Sequence, residues 1–81
     1  MAANIDQHLG KRVALARDQR GLSLAEVAAQ IDIASERLAE FEDGSVRIPA
    51  LIVARLTRVL DVTPGWLFAG LPGQERFDRT G

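Results

Sequence analysis

Apolar residues recur along this chain at helical intervals, and glycine and proline break the pattern into helix-sized pieces. Ile5, Leu9, Val13 and Ala16, with Leu15 nearby, predict a first helix from about Ile5 to Arg20. Gly21 follows where glycine favours a left-handed helix end. Ser23 has the character of an N-cap, and Glu26 three residues later completes a capping box. The second helix then carries Leu24, Val27, Ala28 and Ile31, and a third fits Ser35 to Asp43, with Leu38 and Phe41 on one face and Gly44 at its end. Residues 44–48 predict a polar loop. Pro49 suits the first turn of a fourth helix, where its missing N–H costs nothing, and Ile52, Val53, Leu56, Val59 and Leu60 continue it to about Leu60. Thr63-Pro64 opens a short fifth helix holding Trp66, Leu67 and Phe68. From Gly70 onward glycine, proline and charge predict a loose tail. The expected organisation is one all-α domain over 1–69 and a tail over 70–81.

Composition narrows the function classes. A chain of 81 residues without cysteine excludes disulfides, cysteine-ligated zinc and thiol catalysis. No apolar run approaches the roughly 20 residues of a membrane helix, and Met1 to Gly10 lacks the apolar stretch of a secretory signal. The expected location is the bacterial cytoplasm, in association with the nucleoid. His8 is the sole histidine, and no acid–base–nucleophile cluster or Gly-rich phosphate loop is present. The chain therefore reads as a non-enzyme, with no metal, cofactor or small-molecule ligand expected.

The stretch from Leu24 to Gly44 carries the functional pattern. Two short helices meet across a turn of about three residues at Asp32, and Ala28 is the small residue such a corner requires. Val27, Ile31, Ile33, Leu38 and Phe41 are spaced to fill its inside. This is a helix-turn-helix pattern, whose second helix can enter the DNA major groove; an ordinary helical hairpin satisfies the same spacing.

The larger order of motifs distinguishes the two. "LGKRVALARDQRGLSLAEVAAQIDI", "LAEFEDGSVRI" and "ARLTRVLDVTPGWLFAG" together resemble the lambda-repressor-like, Cro-type (Xre) helix-turn-helix family from about Leu9 to Gly70. The resemblance rests on Arg17, Gly21-Leu22-Ser23, Glu42 ahead of Gly44, Leu60-Asp61-Val62 and Trp66-Leu67. It implies a compact five-helix fold that binds double-stranded DNA, commonly as a homodimer paired near the fifth helix, where Trp66 and Phe68 lie. It further implies an ion pair between Arg17 and Glu42, the alternative being two solvated surface charges. Ser35, Glu36, Arg37 and Glu40 would face base edges, while Ser23, Ser45 and Arg47 would touch phosphates.

The chain departs from that family in three places. Asp32 stands for the corner glycine and is among the residues that tolerate a left-handed backbone. Leu24 replaces a glutamine at the start of the second helix, which removes a donor but leaves a group able to meet a thymine methyl. The third helix is acidic, with Glu36, Glu40, Glu42 and Asp43 against Arg37 alone, and the formal net charge is −1. Glutamate can read cytosine N4, but it also repels phosphate. Two functions follow: a DNA-binding regulator of the repressor type, or a protein-interaction module (an antirepressor or co-regulator) using the acidic face toward a second regulator. Lys11, Arg12, Arg17 and Arg20, with Arg47, Arg55 and Arg58, offer compensating positive charge. Phe77, among charges in the tail, is a candidate for a dimer or partner contact.

Overall fold

The computed structural model describes residues 2–70, which form five α-helices: α1 (Ala2–Gln19), α2 (Leu24–Ile31), α3 (Ser35–Asp43), α4 (Ala50–Leu60) and α5 (Pro64–Phe68). No strand occurs among them. The expected tail, Phe77 included, lies outside the described residues apart from Gly70.

Local chemistry explains the boundaries. The Ser23 hydroxyl accepts the Glu26 N–H, and the Glu26 carboxylate accepts the Ser23 N–H, so two orphan donors of α2 are satisfied reciprocally. Thr63 caps α5 by accepting from the Trp66 N–H. The first four helices end alike, with a left-handed residue that turns the chain back: Gly21, Asp32, Gly44 and Asp61. At each, the following N–H bonds to a carbonyl five residues earlier, namely Leu22 to Arg17, Ile33 to Ala28, Ser45 to Glu40 and Val62 to Thr57. Aspartate serves at two of the four ends.

Two expected boundaries shift. α1 starts at Ala2, three residues before Ile5, since the alanines of its first turn are the strongest helix formers. Pro49 is the cap of α4 rather than its first residue, because its ψ of 151° is extended. Its carbonyl still receives the Val53 N–H at 3.0 Å.

The core draws on every helix: Leu9, Val13 and Ala16 from α1, Val27, Ala28 and Ile31 from α2, Leu38 and Phe41 from α3, Ile52, Leu56 and Leu60 from α4, and Leu67 from α5, with Ile48 from the loop. Two members of the predicted α1 pattern stay outside it. Ile5 is 45% exposed and Leu15 42%, so the stripe meets the core only from Leu9 onward. Ile33 and Leu24 are half-buried and pack against the core margin.

Candidate functional site

The α2–α3 corner is built on Ala28, Asp32 and the two helix ends. Ala28 is 2% exposed, and its carbonyl accepts the Ile33 N–H at 3.0 Å. Asp32 takes φ 62° and ψ 48°, the left-handed conformation that turns the chain between the helices. Ala34 precedes α3 in an extended conformation without any side-chain cap, while its carbonyl accepts the N–H groups of Arg37 and Leu38.

The 3.6-residue period then divides α3 into two faces. Leu38 and Phe41 enter the core, whereas Glu36, Arg37, Glu40 and Asp43 are exposed and Ser35 is half-buried. Arg37 Nη1 lies 3.5 Å from Glu40 Oε1, both side chains being about half exposed. A surface pair of this kind contributes only about 0.3–0.5 kcal/mol, so either partner can be drawn to another ligand.

The far end of α3 is held firmly. Arg17 of α1 donates from Nε to Glu42 Oε2 at 2.7 Å and from Nη2 to Glu42 Oε1 at 3.0 Å. Its Nη1 donates to the Leu22 carbonyl at 2.9 Å. The pair is mostly covered, with side-chain exposures of 19% and 10%. Two parallel bonds from a planar guanidinium fix direction as well as distance. The hydrogen bond to Glu42 raises the proton affinity of Arg17 above its usual level, outweighing desolvation. Beside this clamp, Gly10 of α1 is buried beneath the last turn of α3.

The residues expected at phosphates are variously engaged within the chain. The Ser23 hydroxyl already accepts a hydrogen bond as the α2 cap, which leaves its hydrogen to donate. Ser45 is turned back on α3: its N–H meets Asp43 Oδ1 at 2.8 Å, and its hydroxyl lies 3.3 Å from the Glu40 carbonyl. The Ser45 hydroxyl and, to a smaller extent, its N–H hold the Asp43 carboxyl below its ordinary proton affinity. Arg47 is 67% exposed, and its Nε approaches Asp6 Oδ1 at 3.4 Å.

The supposed basic cluster of α1 is largely spent on intramolecular work. Arg12 lies 3.7 Å from the centroid of the Trp66 ring and donates to the Trp66 carbonyl at 3.1 and 2.7 Å. Arg20 pairs with Asp61 at 2.9 Å, and Arg55 donates to the Ile31 carbonyl at 3.1 Å. Among the described residues, Lys11 and Arg58 are exposed cations with no such partner. Leu67 is buried, Trp66 is half-buried under Arg12, and Phe68 lines a shallow apolar groove with Ile5, Leu9, Ile48 and Val53. Sequence reasoning passed over Gly10 and the Arg12–Trp66 contact. An isolated glycine inside a helical pattern was the available signal for the first.

This is the architecture of a helix-turn-helix protein, with α3 as the presented helix. Residues 10–71 match the family model described as a helix-turn-helix domain, and the chain belongs to that family. It is similar to two HTH-type transcriptional regulators, both designated uncharacterised, from Sinorhizobium medicae and Rhizobium meliloti. Each is 28% identical over 69 residues, which cover 85% of this chain and 50% of the relative. The chain thus spans about half the length of the curated relatives it matches. Among the described residues, no acidic, histidine or cysteine cluster could hold a metal ion, and no helix is long and apolar enough to cross a membrane.

Proposed function

We propose that this chain binds double-stranded DNA sequence-specifically as a homodimer and regulates transcription, acting as a repressor. The observation that carries the reading is the mounting of α3. Its exposed face is presented by a tight corner at Asp32, and its far end is fixed to α1 by the bidentate Arg17–Glu42 pair. A helix carried in this way suits the major groove, with Ser35, Glu36, Arg37 and Glu40 toward base edges and Ser23, Ser45 and Arg47 toward phosphates. Arg37 suits guanine and a glutamate suits cytosine N4. A single small domain makes a limited DNA interface, so two copies on half-sites roughly 34 Å apart supply the affinity. With so few uncommitted cations, non-specific binding is weak and the salt dependence is set by a few phosphates.

The acidic outer face favours one second reading. Glu36, Glu40 and Asp43 are exposed on α3 against Arg37, which already faces Glu40. That surface suits a basic protein partner, making the chain an antirepressor or co-regulator.

Charge reversal separates the two. Fluorescence anisotropy with a duplex recovered from a random pool should show Arg47→Glu losing at least about tenfold in affinity at moderate salt, one phosphate contact being replaced by repulsion. Unchanged binding would remove Arg47 from the interface, and absence of binding by the unaltered protein would favour the partner reading.

A further inference from the structure

The seam between α1 and the last turn of α3 is closed by two glycines on opposite sides. A Cβ on Gly10 would fall 2.4 Å from the Phe41 carbonyl oxygen, 2.5 Å from that of Glu42 and 2.8 Å from the Glu42 carbonyl carbon. A Cβ on Gly44 would fall 2.7 Å from Gln7 Cγ and 2.8 Å from Gln7 Cα. Most of these neighbours are backbone atoms that cannot swing aside. Gln7, Gly10, Ala14 and Arg17 share one stripe of α1, being three, four and three residues apart. The same stripe therefore provides the close approach and, two turns farther on, the arginine that grips Glu42.

We infer that Gly10 and Gly44 are positioning residues, which set the seat of α3 against α1 and thereby the base selectivity of the α3 face. The inference deepens the DNA-binding reading above and rests on it. Ordinary contact with a Cβ begins at about 3.4 Å, so alanine at position 10 must part the two backbones by about 1 Å. Glu42 is fixed to Arg17 two turns along α1, so the parting tilts α3 rather than simply lifting it. The side chains on its outer face then meet a duplex in a different register. Interiors are close-packed, and a displacement of this size is not absorbed locally.

The test uses the whole chain and three variants. Gly10→Ala adds the spacer from α1. Gly44→Asn adds one from the end of α3 while retaining a residue type that accepts the left-handed cap. Gly21→Ala is the control. It strains a left-handed position at φ 68°, but its Cβ meets nothing within 4 Å. It therefore lowers stability without touching the seam. Each protein is compared, under conditions where it is fully folded, by 15N amide shifts and by selection from random duplex DNA. Both seam variants are expected to shift α3 amides well beyond those of α4. They should also lower the ratio of specific to non-specific affinity by about tenfold, the discrimination carried by one base contact, or change the enriched sequence. Gly21→Ala should keep the ratio and the sequence.

Folded seam variants with unaltered α3 shifts and unaltered selection would overturn the inference. So would failure of both seam variants to fold while Gly21→Ala folds, since the seam would then serve folding alone. If the unaltered protein enriches no sequence, the DNA-binding reading fails, and with it the role in selectivity. The α3 amide shifts would then still show whether the glycines seat the helix.

Discussion

Two arginines of α1 tie it to two other helices by different physics. Arg17 meets a carboxylate on α3 in a covered, bidentate ion pair. Arg12 meets α5 without any opposing charge, stacking on the Trp66 ring and donating to the Trp66 carbonyl. The first contact depends on the exact identity of both partners, because removing either leaves a partly buried charge alone. The second is divided between a ring face and a backbone carbonyl that every residue possesses. Direction matters where α3 is presented to a ligand, and closure is sufficient where α5 completes the core. The two contacts of α1 thus differ in how much substitution they should tolerate.

The largest effect should come from Glu42→Ala. It strands Arg17 and should cost about 2–3 kcal/mol, somewhat below a fully buried pair. Thermal unfolding checks this, and the double variant Arg17→Ala/Glu42→Ala should lose less than the two single losses combined. Additive losses would mean that the two side chains do not act as a pair.

The two contacts were unequally legible in the sequence. Helices, caps and the corner follow from local rules: Ser23 with Glu26, Thr63 with Pro64, and glycine at the helix ends. Asp32 is readable as a left-handed turn because aspartate belongs to the short list that permits it, and Asp61, which takes φ 55°, obeys the same rule. Arg17 and Glu42 are 25 positions apart, and only family resemblance suggested pairing them. Gly10, Arg12 and Trp66 depend on helix–helix approach, which hydrophobic periodicity does not encode. Periodicity marks which stripe is apolar, whereas the α3-facing stripe of α1 is polar and small. That omission made Arg12 and Arg20 look available for phosphate when both are engaged within the chain.

A smaller effect is expected where α1 meets α5. Trp66→Leu removes the ring but keeps the carbonyl that Arg12 donates to, so the cost should be about 1 kcal/mol by thermal unfolding. A loss matching that of Glu42→Ala would show that the aromatic face, rather than the carbonyl, holds Arg12. Smaller again is Arg20→Ala, whose partner Asp61 is 83% exposed; it should change stability by less than about 0.5 kcal/mol.

The smallest effect concerns pH. Ser45, through its hydroxyl first and its N–H second, lowers the proton affinity of Asp43 in the folded state, so this contact is complete above the ordinary value of 3.8 and is lost as pH falls through the lower folded value. An acid titration followed by the side-chain carboxyl 13C shift should place the Asp43 midpoint below 3.8. A midpoint at or above 3.8 would contradict the assignment.

The most direct test of the account is selection by the purified chain from random duplex DNA across a salt series. A functional, firmly seated α3 predicts an enriched palindromic sequence with half-sites about one helical turn apart, and an affinity that falls as salt rises. No enrichment even at low salt would contradict it, and would assign the acidic α3 face to a protein partner.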